Sequence, residues 1–268
     1  MRVAVLGCGN MGRAIITSLL KRYGDISIIA YDKSESVLKH LPDEVLVVPP
    51  DEWNLDENKS DAVVMAVKPQ DMADALKAFS ALQERPDNPL FVSIAAGISI
   101  ARLEKLLPAH ARVCRVMPNT PAMVGEAVSA YCCNERCRDS DKATAEHILS
   151  AFGRVISVPE KLMNAVTGLS GSGPAYVYLF IEALIEGGVA AGLPYAVAKE
   201  CAVQTVVGAA RMVQEREETP AELKSAVMSP GGTTVRGLMA LEENKFKYSV
   251  IKAVTEATAR AEEIGKQE

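Results

Sequence analysis

The sequence has 268 residues, of which 49% are hydrophobic, and a formal net charge of −5. This length and composition predict one large or two modest domains, and the negative charge excludes a general nucleic-acid binder, which needs a basic surface. No apolar run reaches the roughly 18 residues that a membrane-spanning helix requires, so neither nucleic acid nor a membrane is an expected partner.

The start of the chain does not resemble a secretory signal, because Gly7 interrupts the apolar run of residues 3–6. We therefore expect a cytoplasmic protein whose six cysteines are thiols. Cys132, Cys133 and Cys137 are close in sequence. No histidine lies nearby at ligand spacing, so the pattern predicts no metal site.

The first half of the chain alternates short β-branched runs with helical segments. The predicted strands are residues 3–6, 26–30, 45–48, 62–67, 90–94, 112–117 and 155–158. The predicted helices between them are residues 13–22, 71–82, 100–106 and 142–152. Such alternation indicates a doubly wound, mostly parallel α/β sheet of the Rossmann type, in which the helices supply the crossovers.

The second half is predicted to be all helical, because no β-rich run follows Pro159. The predicted helices are residues 174–191, 195–216, 232–242 and 246–264. We place the boundary between an α/β domain, residues 1–158, and an all-α domain, residues 159–268. Apolar residues cover nearly every face of two of these helices, which indicates burial on all sides and a homodimer built on this domain. A compact monomeric bundle is the alternative.

A glycine fingerprint follows the first strand and opens the first helix. It reads Gly7-Cys8-Gly9-Asn10-Met11-Gly12, directly after Leu6. In this context the first glycine permits a tight turn, the second lets the backbone approach a pyrophosphate, and the third lets the helix lie close to the strand. The pattern therefore predicts a dinucleotide site in which the phosphates meet the helix N-terminus.

The choice between NADH and NADPH depends on the residues at the end of the second predicted strand. Asp32 is twenty residues beyond Gly12, where a carboxylate accepts hydrogen bonds from the adenosine ribose and favours NADH. Lys33 and Ser34 follow directly and are suited to hold the 2′-phosphate of NADPH. Both NADPH and NADH remain open as cofactors.

Three later loops are expected to line the same crevice, because ligands bind at the carboxyl ends of parallel strands where the strand order reverses. They are Ala66-Val67-Lys68-Pro69, Ala95-Ala96-Gly97, and the loop that contains Pro118 and Asn119.

Two more glycine-rich elements lie in the helical half. Ser229-Pro230-Gly231-Gly232-Thr233-Thr234 leads into a helix. Unpaired N–H groups of Gly231, Gly232 and Thr233 would favour a carboxylate there, although an ordinary helix cap is the alternative. The other element, residues 168–173, is similar to one in hydroxyacid dehydrogenases of the 6-phosphogluconate and hydroxyisobutyrate type. Their catalytic lysine is replaced here by Val177.

Without that lysine, proton abstraction from an alcohol has no evident agent. Reduction of a C=N bond in a small acid fits better, because a protonated imine is already polarised and needs no strong general acid. The hydroxyl of Thr234 can supply the one hydrogen bond that the nitrogen needs.

From end to end the chain resembles the pyrroline-5-carboxylate reductases. The motifs that carry the resemblance are residues 7–12, 66–69, 93–97, 115–121, 168–176, 223–224 and 229–234. The resemblance implies that NAD(P)H reduces Δ1-pyrroline-5-carboxylate to L-proline, the last step of proline biosynthesis. It also implies interlocked helical domains and dimers that assemble further.

Residue roles follow from the same resemblance. Ser229 and the amides of the glycine-rich element are expected to bind the substrate carboxylate, with Thr234 as the catalytic residue at the ring nitrogen. Glu160 is expected near the cofactor, Glu217 near the substrate, and Asn54 at the adenosine. Reduction of a related cyclic imino acid is one alternative, and a dinucleotide-sensing module without chemistry is another.

Overall fold

The computed structural model describes residues 1–49, 52, 62–77 and 89–267. They form two compact units, residues 1–172 with 256–268, and residues 173–255. The last helix contributes residues to both units. The division after residue 158 stays a prediction.

The first unit is built on an eight-stranded sheet. Its strands are β1 (Arg2–Leu6), β2 (Ser27–Tyr31), β3 (Leu46–Val47), β4 (Ala62–Met65), β5 (Leu90–Ser93), β6 (Arg112–Met117), β7 (Ala127–Cys133) and β8 (Gly153–Ser157). Their order is β3-β2-β1-β4-β5-β6-β7-β8, and every pair is parallel except β6 with β7. From β1 the next strands, β2 and β3, are added toward one edge of the sheet, and the strands from β4 onward are added toward the other. The strand order therefore reverses between β1 and β4, which is where a doubly wound sheet binds ligands.

Helices cover both faces of this sheet, which explains why β4 and β5 are buried along their whole length. On one face, α1 (Asn10–Arg22) and α5 (Asp139–Ser150) bury side chains in the hydrophobic core that also contains Val3 and Val5. The other helices of the unit are α2 (Glu35–Leu38), α3 (Met72–Leu76), α4 (Ile100–Leu106) and α6 (Met163–Val166). Of these, α3, α4 and α6 pack on the opposite face, with Ala4 and Leu6. Alternate side chains of β1 thus enter two separate hydrophobic cores.

The mostly parallel Rossmann prediction is confirmed, but one strand was missed. The sequence predicted no strand between residues 117 and 155, whereas β7 lies there, antiparallel to β6. The reason is a 3₁₀ turn, Thr120–Val124, that ends at Gly125 with φ 78° and reverses the chain without a crossover helix. The strand β7 also lacks the alternation of apolar and polar residues that marks a half-buried strand, because it is buried along most of its length. The predicted helix at residues 71–82 lies partly outside the described residues.

The second unit is helical, as predicted. It contains α7 (Gly173–Ala190), α8 (Tyr195–Glu215), α9 (Pro220–Ala226), α10 (Thr233–Glu243) and the first half of α11 (Phe246–Gln267). The predicted helices did not include α9. Its start is held by a capping box, in which the side chain of Thr219 accepts from the N–H of Glu222 and the side chain of Glu222 accepts from the N–H of Thr219. In this unit, which the structure describes throughout, the buried residues are Ile185, Ala198 and Ala202. Among the described residues, no helix is long and apolar enough to cross a membrane.

One ion pair offers a test of how the first unit is held together. Asp141 on α5 is 4% exposed, pairs with Arg112 on β6, and accepts a hydrogen bond from the N–H of Arg138 at 2.7 Å. We expect Asp141→Ala to lower the free energy of unfolding by about 3 kcal/mol, because it removes the carboxylate from a largely buried pair. Urea unfolding followed by circular dichroism measures this.

The matched control is Asp139→Ala on the same helix. The side chain of Asp139 is 99% exposed and pairs with Lys142 only at the surface, so its loss should change the free energy by less than about 0.5 kcal/mol. Equal unfolding midpoints for the two variants would contradict a stabilising role for the Arg112–Asp141 pair.

Candidate active site

The turn from β1 into α1 is built around Gly7. Its φ of 95° favours glycine, and a Cβ there would lie 2.7 Å from the carbonyl carbon of Ala66. Its N–H donates to the carbonyl of Tyr31 at 2.8 Å. Gly7 therefore sits in close contact with the ends of both strands that neighbour β1.

The other two glycines of the fingerprint differ in what surrounds them. A Cβ on Gly12 would lie 2.0 Å from the carbonyl oxygen of Gly7, so this position must stay small for α1 to start where it does. A Cβ on Gly9 would have nothing within 4 Å, because it would point into open space. Gly9 also caps α1 without a side-chain hydrogen bond. The N–H groups of Asn10, Met11 and Gly12 therefore face an open cradle that fits a pyrophosphate.

Beside this cradle lies a cavity of about 700 Å³. It brings together predicted residues from the ends of three adjacent strands. Those at or after the ends of β1 and β2 are Leu6, Gly7, Gly9, Asp32, Lys33 and Ser34. Those that follow β4 are Ala66, Val67 and Lys68, while Pro69 begins the next 3₁₀ turn. The cavity is large enough for the adenosine half of a dinucleotide.

The side chain of Cys8 points into the hydrophobic core and is 1% exposed. Burial, with the nearby charge of Asp32, raises the pKa of its thiol to about 12. Cys8 therefore contributes its backbone, not its thiol, to the site.

Asp32 is held by two backbone amides. Its Oδ2 accepts a hydrogen bond from the N–H of Cys8 at 2.8 Å, and its Oδ1 accepts one from the N–H of Ser34 at 2.9 Å. The next residue, Lys33, extends to Asp71, with 2.7 Å between Nζ and Oδ1. The hydrogen bond to Asp71 raises the pKa of Lys33. Sequence analysis missed Asp71 and Asp74, which also line the cavity; their position just after the Ala66 loop is the signal that would have found them.

The loops after β5 and β6 lie further along the same sheet edge and do not line this cavity. In the first loop Ala95 is buried, Ala96 is exposed and Gly97 has φ 85°. A Cβ on Gly97 would come within 3.0 Å of the Ile264 side chain, so this loop is closely packed.

Glu160 supports the segment that follows this loop. Its Oε1 accepts a hydrogen bond from the N–H of Ile100 at 2.7 Å and one from Arg115 at 3.1 Å. Arg115 is itself buried. The carboxylate is thus already engaged within the protein, and its place near the cofactor stays a prediction.

The loop after β6 is fixed by Asn119, next to the buried Pro118. The Asn119 side-chain amide donates to the carbonyl of Ser170 at 3.2 Å, and its oxygen accepts from the N–H of Val128 at 3.1 Å. A Cβ on Gly171 would lie 2.4 Å from the end of Met117. The glycine-rich element at residues 168–173 therefore packs against this loop.

The Ser229–Thr234 element forms a turn before α10. Gly231 has φ 69°, and Gly232 caps α10 without a side-chain hydrogen bond. We expected the N–H of Gly232 to be unpaired, but it donates to the carbonyl of Ser229 at 2.9 Å because the turn closes on itself. A Cβ on Gly232 would lie 2.3 Å from the Ser229 hydroxyl. The first-turn N–H groups, with Thr233 and Thr234, remain suited to an anion.

Glu217, which was predicted near the substrate, lines a different surface from the Ser229–Thr234 element. Glu215, Arg216, Glu218 and Glu222 line this exposed surface with it. Asn54 lies outside the described residues.

The cysteine cluster has the character of a protein interior. Cys114 and Cys133 are opposite each other on β6 and β7, and Cys137 lies beside them. The hydrogen bond with Cys114, with burial, raises the pKa of Cys133 to about 12. Among the described residues, these cysteines are not part of a group of three or more His, Cys, Asp or Glu side chains that could hold a metal ion.

Comparison with known proteins finds a matching family for each half of the chain and relatives that match along its whole length. Residues 160–264 match the family described as pyrroline-5-carboxylate reductase dimerisation, and residues 2–97 match the NADP oxidoreductase, coenzyme F420-dependent, family. The pyrroline-5-carboxylate reductase of Synechocystis is 43% identical, with 100% of this chain and 99% of the relative aligned. That of Escherichia coli is 35% identical, with 99% and 98% aligned.

Solved structures agree with these relatives. The NADP-bound pyrroline carboxylate reductase of Plasmodium falciparum has a TM-score of 0.87 and 32% identity, with 99% of this chain and 98% of that chain covered. The pyrroline-5-carboxylate reductase of Coxiella burnetii has a TM-score of 0.87 and 34% identity, with 98% and 97% covered.

The surroundings of Gly9 lead to a test of the cradle. We expect Gly9→Ala to fold normally, because φ is −61° and open space surrounds the new methyl group. The methyl group would occupy the space of a pyrophosphate, so the affinity for NADH and NADPH should fall about tenfold or more. Calorimetric titration of each nucleotide measures the affinity, and thermal unfolding the stability.

Gly24→Ala is the control, because it too has nothing within 4 Å but lies at the other end of α1. Unchanged nucleotide affinity in Gly9→Ala would mean that the cradle does not hold the phosphates.

Proposed function

This chain belongs to the pyrroline-5-carboxylate reductase family, and we propose that its two glycine-rich elements divide the binding of cofactor and substrate between them. It is an NAD(P)H-dependent oxidoreductase that reduces Δ1-pyrroline-5-carboxylate to L-proline, the last step of proline biosynthesis. The observation that carries the cofactor role is the open space at Gly9 between two glycines that must stay small.

The first element, with the strand ends around it, holds NADPH or NADH. The first-turn amides of α1 bind the pyrophosphate, and Asp32, Lys33 and Ser34 meet the adenosine ribose. When bound, the reduced nicotinamide supplies the hydride that the C=N carbon accepts. The loops after β4, β5 and β6 form the wall for its ring, and Glu160 and Asn119 keep that wall in place.

The second element binds the substrate. The Ser229 hydroxyl and the amides of Gly231 and Thr233 bind the carboxylate, while the small size of Gly232 keeps Ser229 close to the turn. The Thr234 hydroxyl hydrogen-bonds to the ring nitrogen. A protonated imine is already electrophilic, so this bond orients the ring and no strong acid is required. Glu217 near the substrate and Asn54 at the adenosine are proposals that rest on family resemblance.

The match to a dimerisation family supports a homo-oligomer. We propose that the helices of the second unit form its interface, because they expose large apolar side chains such as Tyr178 at 60% and Leu179 at 67%. We place the enzyme in the cytoplasm, where its six free cysteines would stay reduced.

Purified protein should oxidise reduced nicotinamide only when pyrroline-5-carboxylate is present. In Thr234→Val, which keeps the side-chain shape, we expect kcat to fall about tenfold or more, as the loss of one hydrogen bond of about 1.4 kcal/mol implies. Nucleotide affinity should not change. Absorbance of the reduced nicotinamide follows turnover.

Thr234→Ser retains the hydroxyl and should recover most of the activity. If Thr234→Val turned over at the normal rate, the role of Thr234 would be wrong. If the wild-type protein bound nucleotide but never consumed it, the dinucleotide-sensing alternative would be favoured.

The interface proposal is tested by Leu179→Asp on α7. The variant should sediment as a smaller species than the wild type in velocity ultracentrifugation, because a charge cannot be buried unpaired in an apolar interface. Leu46→Asp is the control, since Leu46 is similarly exposed at 61% but lies on β3 in the first unit. The same sedimentation for both variants would place the interface elsewhere.

A further inference from the structure

The carboxylate of Asp32 is fixed at the end of β2. It accepts the N–H of Cys8 with one oxygen and the N–H of Ser34 with the other. Each carboxylate oxygen retains a further acceptor position, so Asp32 can still accept a hydrogen bond from a ribose hydroxyl. It cannot turn away from an incoming anion without losing both amide bonds.

Lys33 follows Asp32, but it does not offer a free positive charge. Its ammonium group lies 2.7 Å from the carboxylate of Asp71, in the 3₁₀ turn after β4. The Lys33 side chain is 76% exposed, so this pair is weak and can open. If Lys33 moved to a phosphate, however, the carboxylate of Asp71 would be left unpaired beside that phosphate. The pair therefore contributes no net positive charge in either state.

The remaining charges around the cavity have the same effect. The described residues that line it include the carboxylates of Asp32, Asp71 and Asp74, the ammonium groups of Lys33 and Lys68, and no arginine. Asp74 is paired with Lys77 at 2.6 Å, and Asp32 balances the charge of Lys68, so these groups add no net positive charge. The Ser34 hydroxyl is hydrogen-bonded to that of Ser36 at 2.8 Å. A 2′-phosphate carries up to two negative charges and is bound best by arginine forks or several cations. A bare 2′-hydroxyl needs only an acceptor, which Asp32 provides.

We infer that this cavity selects NADH over NADPH, with Asp32 accepting the ribose 2′-hydroxyl and Asp71 neutralising Lys33. The inference rests on the proposed function, in which this cavity holds the adenosine half of the cofactor. It distinguishes this chain from the Plasmodium falciparum relative, whose structure contains NADP.

Titration calorimetry of the full-length protein with NADH and NADPH, in the absence of substrate, tests the inference apart from turnover. The wild type should bind NADH about tenfold or more tightly than NADPH. Asp71→Asn should raise the affinity for NADPH severalfold more than that for NADH, because it releases Lys33 and removes a negative charge that opposes the 2′-phosphate. Asp32→Asn should weaken NADH binding and reduce the preference. The ratio of kcat/KM for the two cofactors, with pyrroline-5-carboxylate, should follow the same order.

Asp139→Asn is the matched control, because it changes the net charge equally on the exposed surface of α5. Its preference should equal that of the wild type. NADPH binding as tight as NADH binding in the wild type, with turnover intact, would overturn the inference and leave the proposed function standing. An equal change of preference in Asp139→Asn and Asp71→Asn would overturn the role of Asp71. Failure to bind either nucleotide would overturn the proposed function itself.

Discussion

The close approach of the β1–α1 turn to β4 is the constraint on which the rest of the cofactor site depends. A methyl group at Gly7 would strike the backbone of Ala66, and one at Gly12 would strike Gly7. Because these two positions are small, α1 begins directly above the end of β1 and its free amides reach the crevice where the strand order reverses. The same turn places the N–H of Cys8 against Asp32. The proposed phosphate site and the proposed ribose site are therefore geometrically linked.

The sequence predicted the parts of the fold that follow from local patterns. The helical spacing of the apolar residues and the composition predict α4 with the bounds that the structure has. The spacing of the glycines identifies the β1–α1 turn. The strand β7 was missed because its antiparallel return depends on Gly125 and a short turn, not on a crossover helix. The prediction that the N–H of Gly232 is unpaired was wrong for a similar reason. That N–H donates to the carbonyl of Ser229 because of the backbone conformation of the turn, which the residue types alone do not specify.

Contacts between distant residues were the other part that sequence could not supply. Lys33 and Asp71 are far apart in the chain, and only the adjacency of β1, β2 and β4 brings the ends of their strands together. Glu160 and Asn119 could be associated with the site by resemblance. Their actual hydrogen bonds, to Ile100 and to Ser170 and Val128, depend on packing that no local pattern encodes. Because backbone amides can bind any phosphate, the proposed discrimination between NADH and NADPH rests on the side chains of Asp32, Lys33 and Asp71.

The second unit shows why association and catalysis belong together in this protein. Its buried side chains are Ile185, Ala198 and Ala202, and α7 and α8 approach closely where a Cβ on Gly188 would lie 3.0 Å from that of Ala198. So small a core cannot offset the conformational entropy lost by several long helices. In the proposed interface, a second copy covers Leu179 and the other exposed apolar side chains and so supplies the missing burial. Because the Ser229–Thr234 turn is part of this unit, the order of the proposed substrate site would depend on the same burial, and association would stabilise it by mass action.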